Sequence, residues 1–420
     1  MKNTLWMLLS NGGRLILQAG YFIIIARALG PEQYGAFIGA TSIVSIVAPF
    51  ASLGSGHLLI KNVSRNRALF SAYWGNALFM ILVSGIALII LIVSISPILL
   101  PKTISQSLVL MAAITDLIFF RIIDTAGQAF SSVLWLSRTA QLSILQGITR
   151  LFAAFALVSF FDNPNALDWT CFYLVGTIAC SFVGIYTVQR FLGSPKLSLG
   201  LIKHEIVEGF YFSLGLSSQT IYNDVDKTML ASLSSLEATG VYAAAYRLID
   251  VAFVPIRSLL GAAYAEFFQH GASGIKGSLV LAKRLTPSAG LYGIAAGIGL
   301  FYGAPVVQLV FGNEYAGTVE ALRWLAPIPF LKSMHYLAAD SLTGAGFQGI
   351  RSAMQVSIAI FNVLINFWLI PKYSFQGAAW ASLASDGLLM LGLWITVIFI
   401  YKNQIQIPGE YQIKNKFSKN

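Results

Sequence analysis

The stretch Gln219–Leu233, QTIYNDVDKTMLASL, decides how the chain is read. It lies in a run apolar enough to cross a bilayer, yet it carries Asp224, Asp226 and Lys227. A charge at the centre of a membrane helix costs roughly 2.5–3.5 kcal/mol on insertion scales, so each such group needs a partner or water. Three of them in four residues predict a helix with one polar face turned to a wet interior. The expected architecture is an all-α membrane bundle around a polar path.

The composition agrees. Of 420 residues, 56% are hydrophobic and 10% charged, where soluble domains carry about 25% charged residues. Apolar runs of spanning length predict about twelve transmembrane helices, over residues 5–29, 34–58, 69–95, 107–134, 142–161, 169–190, 208–232, 240–268, 285–310, 317–343, 352–370 and 377–401. The first run is too long for a signal peptide and lacks a small-residue cleavage site, so it reads as a retained helix.

Charge placement tests the topology. With the N-terminus inside, Lys2, Lys61, Arg65, Arg67, Arg138, Arg190, Lys196, Lys203, Lys276, Lys283, Arg284, Arg351, Lys402 and the lysines beyond it fall on the inner side. The outer side keeps little besides Lys102, Lys372 and Arg27. This is the positive-inside pattern, and it places both termini in the cytoplasm. It also accounts for the net charge of +10 without a nucleic-acid partner, since no basic soluble domain exists to hold one.

The longest inner connection, 191–207, reads as a cytoplasmic linker between an N-terminal lobe, 1–190, and a C-terminal lobe, 208–401, with a tail at 402–420. An internal echo supports two lobes of about six helices each. ARALGPEQYGAF from Ala26 and ASLSSLEATGVY from Ala231 align Glu32 with Glu237, Gly35 with Gly240, and Phe37 with Tyr242. Both turns follow a helix that starts inside, so the repeat is parallel, with a pseudo-two-fold along the membrane normal.

Candidate binding residues are the cations inside apolar runs: Arg14, Arg121, Arg150, Arg247, Arg257, Lys227 and Lys332. Candidate ion-coupling residues are Asp124, Asp226, Asp250 and Asp386, because intramembrane carboxylates are natural relay groups. Helical spacing puts many of them in stripes, such as Arg121–Asp124–Gln128, Arg247–Asp250–Arg257 and Lys332–Tyr336–Asp340. Arg121–Asp124 and Arg247–Asp250 read equally well as buried pairs that fix helix packing, and Asp224–Lys227 as a self-compensating pair. Arg323 reads equally well as a snorkelling side chain. Arg14, Arg150 and Arg257 have no acid three or four residues away, which points to a cavity or ligand. Tyr21, Tyr222 and Tyr246 share faces with charges and are candidates for stacking on sugars.

Cys171 and Cys180 sit on one helix roughly 13 Å apart by helical rise, too far for a disulfide. His57, His204, His270 and His335 show no metal-ligand spacing, and no nucleotide-hydrolysis, serine-hydrolase or zinc-protease motif occurs. No catalytic residue, metal site or cofactor is assigned. Any pumping must then draw on an ion gradient or the membrane potential, with H+ or Na+ as candidate coupling ions.

Four motifs together resemble the Wzx-type oligosaccharide flippases of the superfamily that includes the lipid II flippase and the multidrug and toxin extrusion transporters. They are ARALGPEQYGAF with ASLGSGHLLIKNVSR (Ala26 to Arg65), NDVDKTMLASLSSLEATGVYAAAYRL (Asn223 to Leu248), VFGNEY (310–315) and NFWLIPKYSFQGAAWASLASD (366–386). The family's Gly-x-x-Gly-Ala-Ala in the fourth is Ser374-Phe-Gln-Gly-Ala-Ala here. The resemblance implies a two-lobed, alternating-access transporter of the bacterial cytoplasmic membrane, not an enzyme. Its cargo would be an undecaprenyl-diphosphate-linked oligosaccharide, and membrane lipids, a polysaccharide polymerase and a chain-length regulator are candidate partners. A diphosphate is a double anion that guanidinium forks suit. The alternatives are a cation-coupled multidrug exporter, or a membrane polymerase or ligase; the latter calls for a large outer loop that the chain lacks.

Overall fold

The computed structural model describes residues 2–64 and 66–403, with side chains outside the description for residues 1–16, for 202–205, 208, 211, 212, 215, 216, 218, 219 and 222, and for 262 and 265. Among the described residues every regular element is helical. Helix α1 spans Lys2–Val47, followed by a 3-10 turn and α2, Ser55–Val63. Then come α3 (Phe70–Leu99), α4 (Gln106–Ile114), a π-helical turn (Thr115–Phe119), α5 (Phe120–Ser132), α6 (Leu136–Phe160) and α7 (Ala166–Leu192). The chain continues through α8 (Leu199–Leu233), α9 (Leu236–Ala252), α10 (Val254–Gly271) and α11 (Ile275–Gly303). It closes with α12 (Val306–Phe311), α13 (Ala316–Leu325), α14 (Ile328–Gly344) and α15 (Gln348–Asn403).

Five helical stretches are long and apolar enough to cross a membrane among the described residues: Leu17–Val63, Arg67–Leu99, Leu136–Phe160, Ala166–Leu192 and Gln348–Asn403. The first and last hold 47 and 56 residues. Unbroken, at 1.5 Å per residue, each would run roughly 70–85 Å, more than twice a hydrocarbon core. Each is broken where the sequence predicted a turn. Helix α1 breaks at Gly30, at φ 66 and ψ 170, a conformation open to glycine, and Pro31 then opens the next helix. Helix α15 breaks at Ser374, at φ 52 and ψ −133. That is the position where the resembled family has glycine. The serine hydroxyl lies 2.7 Å from that of Ser234, which helps hold the strained turn.

Boundaries differ in places. The run expected at 208–232 begins at Leu199, so the connection after Leu192 is shorter than 191–207 suggested. The run expected at 285–310 ends at Gly303, and a short helix, α12, follows. Local caps explain several starts: Asn165 accepts from the amides of Leu167 and Asp168 while Asp168 accepts from Asn165, a reciprocal box that opens α7. Ser105 caps α4 through the Leu108 amide.

Packing divides the chain into two compact units. The first holds the chain up to Ala244 with Val306–Val319 and Asn366–Ala378; the second holds Ala245–Pro305, Glu320–Ile365 and the chain from Ala379. In the first, Ala36, Ala40, Val44, Val109, Ala112 and Ala113 form a tightly packed small-residue core. In the second, the large side chains of Phe253, Phe267 and Leu337 pack with Ala282 and Ala289. Without a hydrophobic drive between helices in lipid, such small residues bring backbones close enough for dispersion to act.

Candidate functional site

In the first unit the site grows from a close helix contact. A Cβ on Gly147 of α6 would lie 2.9 Å from Leu17 of α1, and one on Gly20 would lie 3.4 Å from Leu151. These glycines let α1 and α6 approach, which sets Arg150, one turn beyond Gly147, beside Tyr21. Arg150 Nη2 donates to Tyr173 Oη of α7 at 2.7 Å, and Nη1 reaches Tyr21 Oη at 3.5 Å. Its guanidinium carbon lies 4.7 Å from the Tyr173 ring centre, 5.5 Å from Phe120 and 5.8 Å from Tyr21. Tyr173 Oη in turn donates to Asp116 Oδ1 at 2.6 Å. The acid therefore touches the base only through a phenol, and Arg150 Nε is buried without a hydrogen-bond partner.

Asp116 sits in the π turn, Thr115–Phe119. One extra residue in a helical turn shifts the facing of side chains, and such bulges favour functional sites. Phe37 packs edge-on to Tyr173 at 6.3 Å and to Trp169 at 6.1 Å, walling one side of the cluster. Arg121, on the next turn, lies over the Phe120 ring at 5.9 Å. Its Nη1 is 3.9 Å from Asp124, whose side chain is 45% exposed. Asp124 also accepts from Gln128 Nε2 at 3.2 Å. The alternative of a buried Arg121–Asp124 pair is corrected here: the contact is long and the acid is exposed.

Further along the same unit, Lys227 pairs with Asp224 on its own helix and reaches the Asn223 carbonyl at 3.4 Å. This is the pairing that the self-compensating reading of Asp224 and Lys227 expected. Asp226 is buried, accepting from Tyr242 Oη at 2.5 Å and from the Lys227 amide at 2.8 Å. Arg14 lies in α1, with its side chain outside the described residues, as is that of Tyr222.

The second unit holds a different arrangement. Lys332 of α14 is buried with its ammonium 5.1 Å from the Tyr246 ring. One turn on, His335 Nε2 lies 3.3 Å from Asp386 Oδ1, both side chains buried. Asp340 pairs with Arg351 Nη1 at 3.3 Å, and the same nitrogen donates to Thr343 Oγ1 at 2.8 Å. Arg351 was read only as an inner-loop cation, so its capture of Asp340 was missed. Asn362 Nδ2 donates to Ser385 Oγ at 3.0 Å, next to Asp386 in sequence. Arg247 and Asp250 are half-buried on α9. Arg257 is exposed and lies over the Phe253 ring at 5.8 Å, so it is not enclosed in this cluster. Arg323, also exposed, lies over Phe301 at 5.6 Å. Among the described residues no group of His, Cys, Asp and Glu could hold a metal ion.

The sequence singled out Arg150, Lys227, Lys332, Asp226 and Asp386 by charge alone. It missed Asp116, Tyr173, Tyr242 and His335 as their partners. Tyr242 left a signal as the aromatic of the repeated E-x-x-G-x-aromatic motif, and Asp116 as a carboxylate inside an apolar run.

An all-helical fold with five stretches long and apolar enough to cross a membrane among the described residues is that of a multi-pass membrane protein. A solved multidrug resistance transporter of the MATE family, inward-facing and in the MOP superfamily, matches over 93% of this chain and 96% of its own, with a TM-score of 0.72 at 15% identity. The lipid II flippase MurJ, in an inward closed conformation, matches over 96% and 94% with a TM-score of 0.70 at 14% identity. The polysaccharide biosynthesis protein family model matches residues 1–265, well over half of the 420-residue chain. The chain belongs to that family. A probable low-salt glycan biosynthesis flippase of Haloferax volcanii is 25% identical over 86% of this chain and 75% of its own. A putative O-antigen transporter of Escherichia coli is 20% identical over 97% and 98%. The resemblance to Wzx-type flippases read from the four motifs holds, and neither the family nor these relatives are catalytic enzymes.

Proposed function

We propose that the chain is a flippase that moves an undecaprenyl-diphosphate-linked oligosaccharide from the inner to the outer leaflet of the cytoplasmic membrane. It works by alternating access of two lobes of about six helices each, with both termini cytoplasmic, and draws on an ion gradient or the membrane potential.

The observation that carries this reading is Arg150. Its guanidinium is gripped by two phenols, its nearest acid is one hydrogen bond removed, and Nε still seeks an acceptor. A cation held this way keeps most of its charge for a visitor, and a diphosphate offers several acceptor oxygens in a geometry that suits a guanidinium. The surrounding Tyr21, Tyr173 and Trp169 rings supply flat faces, with Trp169 and Tyr173 stacked at 6.0 Å. Lys332 over Tyr246 is a second cation of the same kind. Asp226 and Asp386 are the buried carboxylates best placed to take up a coupling ion.

The test is the lipid pool of a strain lacking the protein. Lipid-linked oligosaccharide should accumulate on the inner leaflet, and glycan analysis should identify it. An unchanged pool, or dye efflux lost together with the gene, would contradict the reading and favour a drug exporter.

A further inference from the structure

Several of the apolar stretches long enough to cross a membrane end at one place in the first unit. Arg67–Leu99 and Leu136–Phe160 begin there and Ala166–Leu192 finishes there. Arg67, Arg138 and Arg190 therefore stand together at one membrane–water boundary. Beneath them Leu59, Phe70, Trp74, Phe130, Leu142 and Val188 pack into one apolar core, which holds the helix ends in register. Residues 61–76, 130–142 and 182–202 carry Lys61, Arg65, Arg67, Arg138, Arg190 and Lys196 and no aspartate or glutamate. The patch has no acid of its own to neutralise it.

The turn between α5 and α6 builds its centre. The Leu134 amide donates to the Ser131 carbonyl at 3.0 Å and the Trp135 amide to the Phe130 carbonyl at 2.9 Å. This is the bonding of a helix C-terminus that usually ends on glycine. Here the left-handed residue is Leu134, at φ 61, a conformation rare for a bulky side chain, and its side chain is 74% exposed. Trp135 is brought back to stack on buried Phe130 at 6.4 Å and meets Phe191 edge-on, also at 6.4 Å. Guanidiniums line these two rings. Arg67 lies 5.8 Å from the Trp135 ring centre, and Arg138 and Arg190 lie 4.4 and 5.9 Å from that of Phe191. Arg138 donates to Gln141 Oε1 and Arg190 to the Tyr186 hydroxyl, each at 3.0 Å and each to a neutral group. Among the described residues none of these arginines pairs with a carboxylate.

We propose that this patch binds the headgroup of an anionic phospholipid of the bilayer. A guanidinium lying over a ring keeps its edge N–H donors free, and a phosphate diester accepts two of them side by side. The apolar rim fits a lipid rather than a soluble acidic protein. Leu134, Tyr186 and Leu197 are exposed around the arginines and would meet the upper acyl chains, while Trp135 sits at the depth that indoles favour. Cations without an acid also favour phosphatidylglycerol over phosphatidylcholine, whose choline would meet them with like charge. Basic clusters at the ends of membrane helices gain roughly fivefold in attraction to anionic lipid per arginine. The site is distinct from Arg150, which lies about 18 Å along α6 from Arg138 by helical rise.

The test counts retained lipid. Full-length protein in detergent micelles is titrated with phosphatidylglycerol and, separately, with phosphatidylcholine, and bound lipid is read by native mass spectrometry. The parent should prefer phosphatidylglycerol by roughly tenfold or more. Arg138→Gln should reduce that preference by roughly fivefold, and the triple variant Arg67→Gln, Arg138→Gln, Arg190→Gln should bring it to within about twofold of none. Arg323→Gln removes an exposed, ring-stacked arginine elsewhere and should change nothing. A parent without the preference, a triple variant that keeps it, or an equal loss from Arg323→Gln overturns the proposal. If the triple variant does not insert, Arg138→Gln decides, and a loss below about twofold overturns it. Competition separates the sources of phosphate. Inorganic phosphate or a short-chain polyprenyl diphosphate, at the concentration of the lipid, should leave phosphatidylglycerol bound, and displacement by either overturns the proposal. The readout involves no transport, so a failed lipid-pool test leaves it standing.

Discussion

Two arginines, Arg150 of the first unit and Arg351 of the second, are partnered in opposite ways. In the first, Arg150 is wrapped by aromatic rings and phenols, and Asp116 is held at one remove behind Tyr173. In the second, Asp340 meets Arg351 directly, while the His335 ring lies 3.3 Å from Asp386 and Lys332 sits on its tyrosine. A directly paired charge spends its field on its partner and offers little to a ligand. One screened only by neutral donors and rings keeps its field and its directional donors. The comparison teaches that a count of intramembrane cations overstates the binding surface. Among the described residues Arg150 meets no acid directly, while Arg351 and Lys227 are paired with Asp340 and Asp224.

The largest effect that would sharpen this contrast is on stability in the second unit. Asp340→Asn leaves Arg351 uncompensated and should cost about 1–3 kcal/mol in thermal or denaturant unfolding. The double variant Asp340→Asn with Arg351→Met should recover much of that loss, since the pair is self-contained. Additive losses would show that each residue has another role. Tyr173→Phe comes next. It removes the hydroxyl that links Arg150 to Asp116, and is expected to cost about 1 kcal/mol of stability while lowering transport several-fold. Stability loss with unchanged transport would make the linkage merely structural. The smallest effect belongs to Asp124→Asn. With its side chain 45% exposed and its pair at 3.9 Å, a change within about 0.5 kcal/mol is expected in the same unfolding assay.

Much of the fold was legible because insertion energetics leave few options. A charge-poor run of spanning length must be a helix, and a Gly–Pro step such as Gly30–Pro31 must break it. The E-x-x-G echo was legible for a stronger reason: Gly35 and Gly240 occupy positions where only hydrogen fits. Hydropathy could mark Arg150 and Asp386 as costly, but the cost does not name the partner. Arg351 looked like a loop cation because it sits three residues into α15, and only the packing of α14 brings Asp340 to it. Asp116 was obscured by the π turn, whose extra residue breaks the three-or-four spacing that a helical reading assumes. Arg257, marked as a ligand candidate because it has no acid nearby in sequence, stands exposed over Phe253.

The most direct measurement compares affinity for a short-chain polyprenyl diphosphate in purified, full-length protein carrying Arg150→Ala or Arg351→Met. Loss of the available guanidinium should weaken binding by roughly 10- to 100-fold, while loss of the committed one should leave it within about threefold. Equal affinities for the two variants, or a larger loss from Arg351→Met, would contradict the claim that Arg150 is the cation held open for an anionic cargo.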